Sequence, residues 1–490
     1  MKRIFLLAIS FMLFADGFAN NIQVTNIVYD NAAGTVTFNI SWENSWRVST
    51  APNNWDAAWV FVKRQNCANP FWQQQYLSAA GHSTSAPLEI KTVPDSVGVF
   101  IQRSGNGNGN IASTSVTLKL GNVPVPLNEW DFKVFAIEMV YIPQSSFQLG
   151  DGGGAGNTIY GFQDSSSLSP YTVTSEAAIN FGTTSGKLYS ATTGSYGPTG
   201  NVIPATFPKG FAASYCMKYE ISQGQYCDFL NSIASDQATN RYPGYNGASR
   251  HTILGTWPVF TVTTPNRACN FISWADMNAY LDWSGLAPMT EMEYEKICRG
   301  NAAPVLGEFA WGTSLFTLFS AASLLNDGTA QETTTAVPTV GAGLVNGGNA
   351  INTVYGPMRC GFAAKNATNR LQAGASYYGV MEMTGNLWER VIGIHTNGIS
   401  FEGMKHGDGT LTVTGAPSGA GFSNVSGWLN QTSITDVAGA GASIKGGSTG
   451  DNFNGAGAGY THVSSRYYTN NASASRSTYT GGRGVRRSFN

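Results

Sequence analysis

Ser448 sits in Gly446-Gly447-Ser448-Thr449-Gly450, which fits the G-x-S-x-G spacing of a nucleophile elbow. That chemistry needs a strand before the serine and a helix after it, so that the hydroxyl stands on a sharp turn. Asp451-Asn452-Phe453-Asn454-Gly455-Ala456-Gly457 follows, a poor helix, and a hydrolase triad is not expected. The histidines, His82, His251, His395, His406 and His462, are scattered without metal-ligand spacing. The cysteines are Cys67, Cys216, Cys227, Cys269, Cys298 and Cys360. None lies in a C-x-x-C, so neither a zinc site nor a thioredoxin-like site is expected, and spacing leaves their pairing open. Cys227 and Cys298 fall in predicted helices, where buried free thiols are expected. Glu382-x-x-Gly385-Asn386-x-x-Glu389 reads, by itself, as a capped turn. Tyr460, Tyr467, Tyr468 and Tyr479 stand among Asn and Ser, the chemistry of recognition surfaces: rigid aromatic area beside adaptable hydrogen bonding. Over residues 441–490 six Lys and Arg face a single Asp, in a chain whose net charge is -1.

The elements that must position these residues read as follows. A length of 490 residues suggests two or three domains. Charged residues make up 12%, about half the usual share, so nucleic acid and anionic membranes are not expected partners. Lys2 and Arg3 precede the apolar stretch Ile4–Phe14, and Gly17 and Ala19 are small residues before a cut, so residues 1–19 read as a signal peptide. No later segment is apolar for long enough to span a bilayer. The expected location is secreted, periplasmic or cell surface. Residues 20–138 carry short alternating or apolar runs, Val36–Trp42, Trp59–Val62, Val97–Ile101 and Val116–Leu120, with a turn over Ser104–Asn110. Strands without helices predict a β-sandwich. Trp42, Trp46, Trp55 and Trp59 are expected to serve mostly as its core, with a carbohydrate platform as the alternative. From Met139 to Asn490, helices capped by Ser222 (with Gln225), Ser273 and Thr290 (with Glu293) are set among long loops, notably 324–351 and 401–443.

Several motifs, in order, resemble the formylglycine-generating enzyme (sulfatase-modifying factor) family. They are Met139-Val140-Tyr141-Ile142-Pro143 with Phe147-Gln148-Leu149-Gly150, Tyr219-Glu220-Ile221-Ser222, Phe271-Ile272-Ser273-Trp274, Thr290-Glu291-Met292-Glu293, Gly379–Glu389, Gly446-Gly447-Ser448 and Gly484-Val485-Arg486. The resemblance covers 139–487 and implies a C-type-lectin-like fold. The expected class is therefore α+β: an N-terminal all-β sandwich, then a loop-rich formylglycine-generating-enzyme-like domain. The family's two copper-binding cysteines would fall on Asp451 and Ala456, and no cysteine follows Cys360. Copper needs soft thiolates, so copper is not expected, and Trp388 and Ser448, which match active-site residues of the family, are expected to be structural or to line a ligand site with Asp451. The resemblance also implies a calcium ion held by the Glu382 side chain, the Gly385 and Leu387 carbonyls and the Glu389 carboxylate, all hard oxygen ligands. A second calcium position falls near Asn326, without other ligands that can be placed.

The tail, with Tyr467 and Tyr468, has two readings. It is a recognition surface, or its arginines brace loops through carbonyls and buried carboxylates. The expected function is a catalytically inactive, calcium-stabilised domain that binds a protein or glycan ligand or serves in extracellular assembly. The rivals are an oxidase with a reorganised site and a ligand-binding protein diversified by a retroelement in its C-terminal tail.

Overall fold

The computed structural model describes residues 21–66, 71–122, 130–153, 160–165, 167–190, 197–319, 324–335, 340–343, 356–365, 367–395, 397–416, 419–429, 442–451, 459–469 and 475–488. The expected signal peptide, Cys67 and Ala456 lie outside them.

Alternation builds the first layer. The strand Thr35–Arg47 buries Val36, Phe38, Ile40 and Trp42 on one face and leaves the residues between them partly exposed. It pairs antiparallel with Gln23–Asp30 and Gly107–Lys119, and Ser83–Thr84 adds to the far side of the latter. The turn expected over Ser104–Asn110 is tighter than its Gly-Asn repeats suggested. The chain is already strand at Gly107, and Gly107–Gly109 pair with Ser45, Trp46 and Arg47.

Asp56–Asn66 shows no alternation because both of its faces are covered. Ala58, Val60 and Val62 pack against the first sheet. Trp59 and Phe61 point the other way, into the helical layer. This strand lies within an antiparallel sheet ordered Ala287–Pro288, Gly484–Arg487, Ser214–Met217, Trp130–Ile142, Asp56–Asn66, Gly98–Arg103, Leu88–Thr92, with Gln73–Gln75 as a side branch. Strands from both ends of the chain thus share one sheet. Trp130–Ile142 pairs with Asp56–Asn66 through its length and with Ser214–Met217 at its end. The boundary expected between residues 138 and 139 falls inside this continuous strand.

The helices are α1 (Gln223–Leu230), α2 (Ser235–Arg241), α3 (Trp274–Trp283), α4 (Glu291–Arg299) and α5 (Arg370–Ala373). The side chains of Ser222, Ser273 and Thr290 accept from the backbone of Gln225, Asp276 and Glu293, closing capping boxes on α1, α3 and α4. α3 is buried on every side and locks against the central sheet. Trp283 meets Phe61 edge-on at 5.1 Å, and Trp59 Nε1 donates to the Ser284 carbonyl at 2.8 Å. Gly285, at φ 73°, ends it where a Cβ would come 2.6 Å from Val97. A smaller sheet, ordered Ala442–Lys445, Trp388–Ile392, Thr480–Gly481, completes the frame. The architecture is mixed α and β, rich in strands with few helices. Among the described residues no helix is long and apolar enough to cross a membrane.

Candidate functional site

Left-handed backbone at Glu382 (φ 54°), Gly385 (φ 89°) and Asn386 (φ 60°) bends the chain into the strand Trp388–Ile392. The turn is held from inside by Glu220, to which sequence reading gave no role. Its carboxylate accepts from the Asn386 side chain and, at 3.0 Å, from Leu387 N–H. Asn386 Oδ1 in turn accepts from Met358 N–H at 2.8 Å, and Gly385 N–H donates to the Gly446 carbonyl at 2.8 Å.

The carboxylates expected to hold calcium are arranged differently from one another. Glu389 is fully buried, and Arg483 Nε donates to both of its oxygens at 2.8 Å. Burial pushes the Glu389 carboxyl up, and the Arg483 guanidinium opposes that shift. Burial works against the Arg483 charge as well, but Glu389 more than offsets it and holds the guanidinium protonated. Glu382 accepts from Gly361 N–H at 2.8 Å through one oxygen, while its other oxygen is buried without a hydrogen-bond partner. Burial pushes the Glu382 carboxyl up to about 7. A divalent ion on Glu389 would have to displace a guanidinium already bound there. Glu389 as arranged does not fit the expected calcium, because its charge is met by Arg483, whereas Glu382 keeps one buried oxygen without a partner. The second expected position repeats the substitution. Asp327, next to Asn326, pairs with Arg250 and Arg267, and Glu332 takes the same two arginines at 2.7 and 2.8 Å. Among the described residues no three His, Cys, Asp or Glu side chains converge so as to hold a metal ion.

The other expected site residues do come together. After the strand Ala442–Lys445, Ser448 is buried, and both its N–H and its hydroxyl donate to Asp451 Oδ2, at 2.7 and 2.8 Å. Ser448 is therefore committed to a carboxylate. Burial pushes the Asp451 carboxyl up, against hydrogen bonds from Ser448 and Trp388. Trp388 is nearly buried and meets Tyr468 edge-on at 5.1 Å. Tyr468 lies 4.9 Å from Tyr467, which lies 4.3 Å from Tyr460 and stacks on Tyr160 at 5.8 Å. The four tyrosines are half-buried, not core. Ser448 and Trp388 form a floor, and Asp451 with the tyrosines forms a rim. Tyr160 comes from a distant glycine-rich stretch, where nothing in the sequence points to the tail.

The tail arginines are turned the other way. Arg466 pairs with Glu291 at 2.8 Å, Arg476 with Asp276 at 2.7 Å and Arg487 with Glu293 at 2.6 Å, and Arg486 reaches Asp95 and the Gly285 carbonyl. Of the two readings of the tail, bracing describes its arginines, while Tyr460, Tyr467 and Tyr468 are half-buried. The cysteines Cys216, Cys227, Cys269, Cys298 and Cys360 are free and buried. Burial pushes their thiols up, so the thiolate form that binds soft metals is disfavoured. Compared with known proteins, no family model matches the chain, and no curated protein matches its sequence.

Proposed function

We propose that this chain is a non-catalytic ligand-binding protein, built like the formylglycine-generating enzymes and acting outside the cytoplasm. One observation supports this reading above the others. Tyr160, Tyr460, Tyr467 and Tyr468 gather with Asp451 at the rim of a Trp388–Ser448 floor while the neighbouring arginines face the interior. Rings of this kind offer large contact area at low conformational cost, and their hydroxyls adapt to a protein or glycan partner. The floor has no group suited to oxygen chemistry. Asp451 stands where the family would have a copper thiolate, and it is a hard ligand already bonded to Ser448.

The non-catalytic half of this proposal is tested with a peptide carrying Cys-x-Pro-x-Arg, copper and oxygen. The peptide cysteine is expected to stay unmodified. Aldehyde formation beyond one turnover per protein would overturn it and favour an oxidase with a reorganised site.

A further inference from the structure

A second cleft, of about 730 Å³, shares no lining residue with the tyrosine rim. It falls in the size range of small-ligand sites, roughly 300–1,000 Å³. Segments far apart along the chain build it. Trp46 comes from the strand Thr35–Arg47, and Tyr377 from the segment after α5. Contacts of the backbone fix the two walls against each other. Gly379, at φ 90°, lies against the Trp46 ring so closely that a Cβ there would come within 3.2 Å. Asn54 Nδ2 donates to the Tyr378 carbonyl at 2.6 Å.

The lining is aromatic, amide-rich and cationic. Trp46 and Tyr377 are partly exposed, and Asn44, Thr368 and Asn369 are exposed polar residues at the rim. Lys218 lies in the floor, 3.0 Å from Glu138 and 5.3 Å from the centre of the Trp46 ring. Glu138 and Asp56 both act on the Lys218 ammonium from behind, so its charge is compensated. Lys365 and Arg370 add two further cations, and among the described residues the lining contains no Asp or Glu. The Arg370 guanidinium donates to the Ala310 and Ala375 carbonyls, at 2.8 and 3.1 Å, which leaves its charge unneutralised by those bonds. In a chain with only 12% charged residues, that bias is a property of this place.

We propose that this cleft binds an acidic oligosaccharide. The C–H face of a pyranose ring packs on Trp46 and Tyr377. Its hydroxyls match the amides and hydroxyl of Asn44, Asn369 and Thr368. Its carboxylate is drawn to Lys365, with Arg370 adding to the field, a charge-assisted contact stronger than a neutral one.

The test titrates the full mature chain with a hexameric oligogalacturonate and, separately, with the neutral cellohexaose. The acidic sugar is expected to bind and the neutral one to bind at least about tenfold more weakly, a difference of roughly 1.4 kcal/mol. Trp46→Ala should abolish binding. Lys365→Glu, a change at the rim, should weaken it by about tenfold or more and keeps the test decisive if Trp46→Ala fails to fold. Tyr467→Ala should leave this affinity unchanged. The proposal is overturned by no binding of oligogalacturonate, by equal affinity for cellohexaose, or by indifference to Lys365→Glu. Loss of binding in Tyr467→Ala would also overturn it, by placing the sugar on the tyrosine rim.

Discussion

Arg483 and Glu389 bring a full positive and a full negative charge into an interior that excludes water. Each is tolerable only because the other is there. Glu389→Ala leaves the guanidinium buried and unpaired, and is expected to cost about 3–5 kcal/mol in urea denaturation. A double change, Glu389→Gln with Arg483→Met, should recover most of that loss, and added calcium or chelator should leave the wild-type midpoint where it is. A midpoint that falls with chelator would restore the metal. The histidines make a second residue-scale case. Three of them, His251, His395 and His406, are buried: His251 bonds Asn270 at 3.0 Å in the core, and burial pushes its pKa down to about 4 from 6.5. The unfolded chain therefore binds the extra proton on acidification. Stability from this group is intact above about 6.5 and is lost as the pH falls towards 4, by on the order of 3 kcal/mol at most. His251→Gln should flatten that part of the acid limb; an unchanged acid limb would show that His251 is not held neutral. Neither Arg483 as a partner for Glu389 nor Glu220 under the turn was legible in the sequence. Both contacts join residues far apart along the chain, and no local pattern encodes them.

What is local was legible. The caps at Ser222, Ser273 and Thr290 are read from side chains three residues apart, and the helices begin there. The apolar run Trp59–Val62 is a strand because the first sheet covers one of its faces and the helical layer covers the other. α2 escaped notice because Ser-Asp-Gln-Ala-Thr-Asn-Arg has Ala238 as its single apolar residue. Arg241 on Asp276 ties it down at 3.0 Å. Sheet order was the least legible level. Gly484–Arg487 slots between Ser214–Met217 and Ala287–Pro288, and no periodicity announces a pairing across so long a stretch. The strand Trp130–Ile142 gives this a practical consequence. Residues 20–138 expressed alone would cut it short and bare Trp59, Phe61 and Ile137, which pack in the helical layer. That fragment is expected to aggregate or to bind a hydrophobic dye such as ANS, where the longer chain does neither. A monomeric fragment with a sharp melting transition would show that the first two sheets are self-sufficient.

At the scale of the whole molecule, the tail's arginines turn inward while Tyr160, Tyr460, Tyr467 and Tyr468 stay half-buried, unlike core tyrosines such as Tyr226, Tyr280 and Tyr294. The tail's arginines are matched with Glu291, Asp276, Glu389 and Glu293 on α3, α4 and the strand after the turn, so they join the last residues to the helical frame. A scaffold already braced in this way has no structural need for four half-exposed rings at one place. That contrast supports the ligand surface proposed at Tyr160, Tyr460, Tyr467 and Tyr468. The most direct measurement is the binding of the full chain, beside a Tyr467→Ala, Tyr468→Ala variant, on an array of neutral glycans and extracellular proteins, which leaves the acidic-sugar cleft out of the readout, with melting curves run on both samples. The account predicts that the wild type binds a defined set of spots through the tyrosine rim, and that the variant loses them while melting within a few degrees of the wild type. Spots retained by a folded variant would contradict it, as would a variant that unfolds because the rings are core.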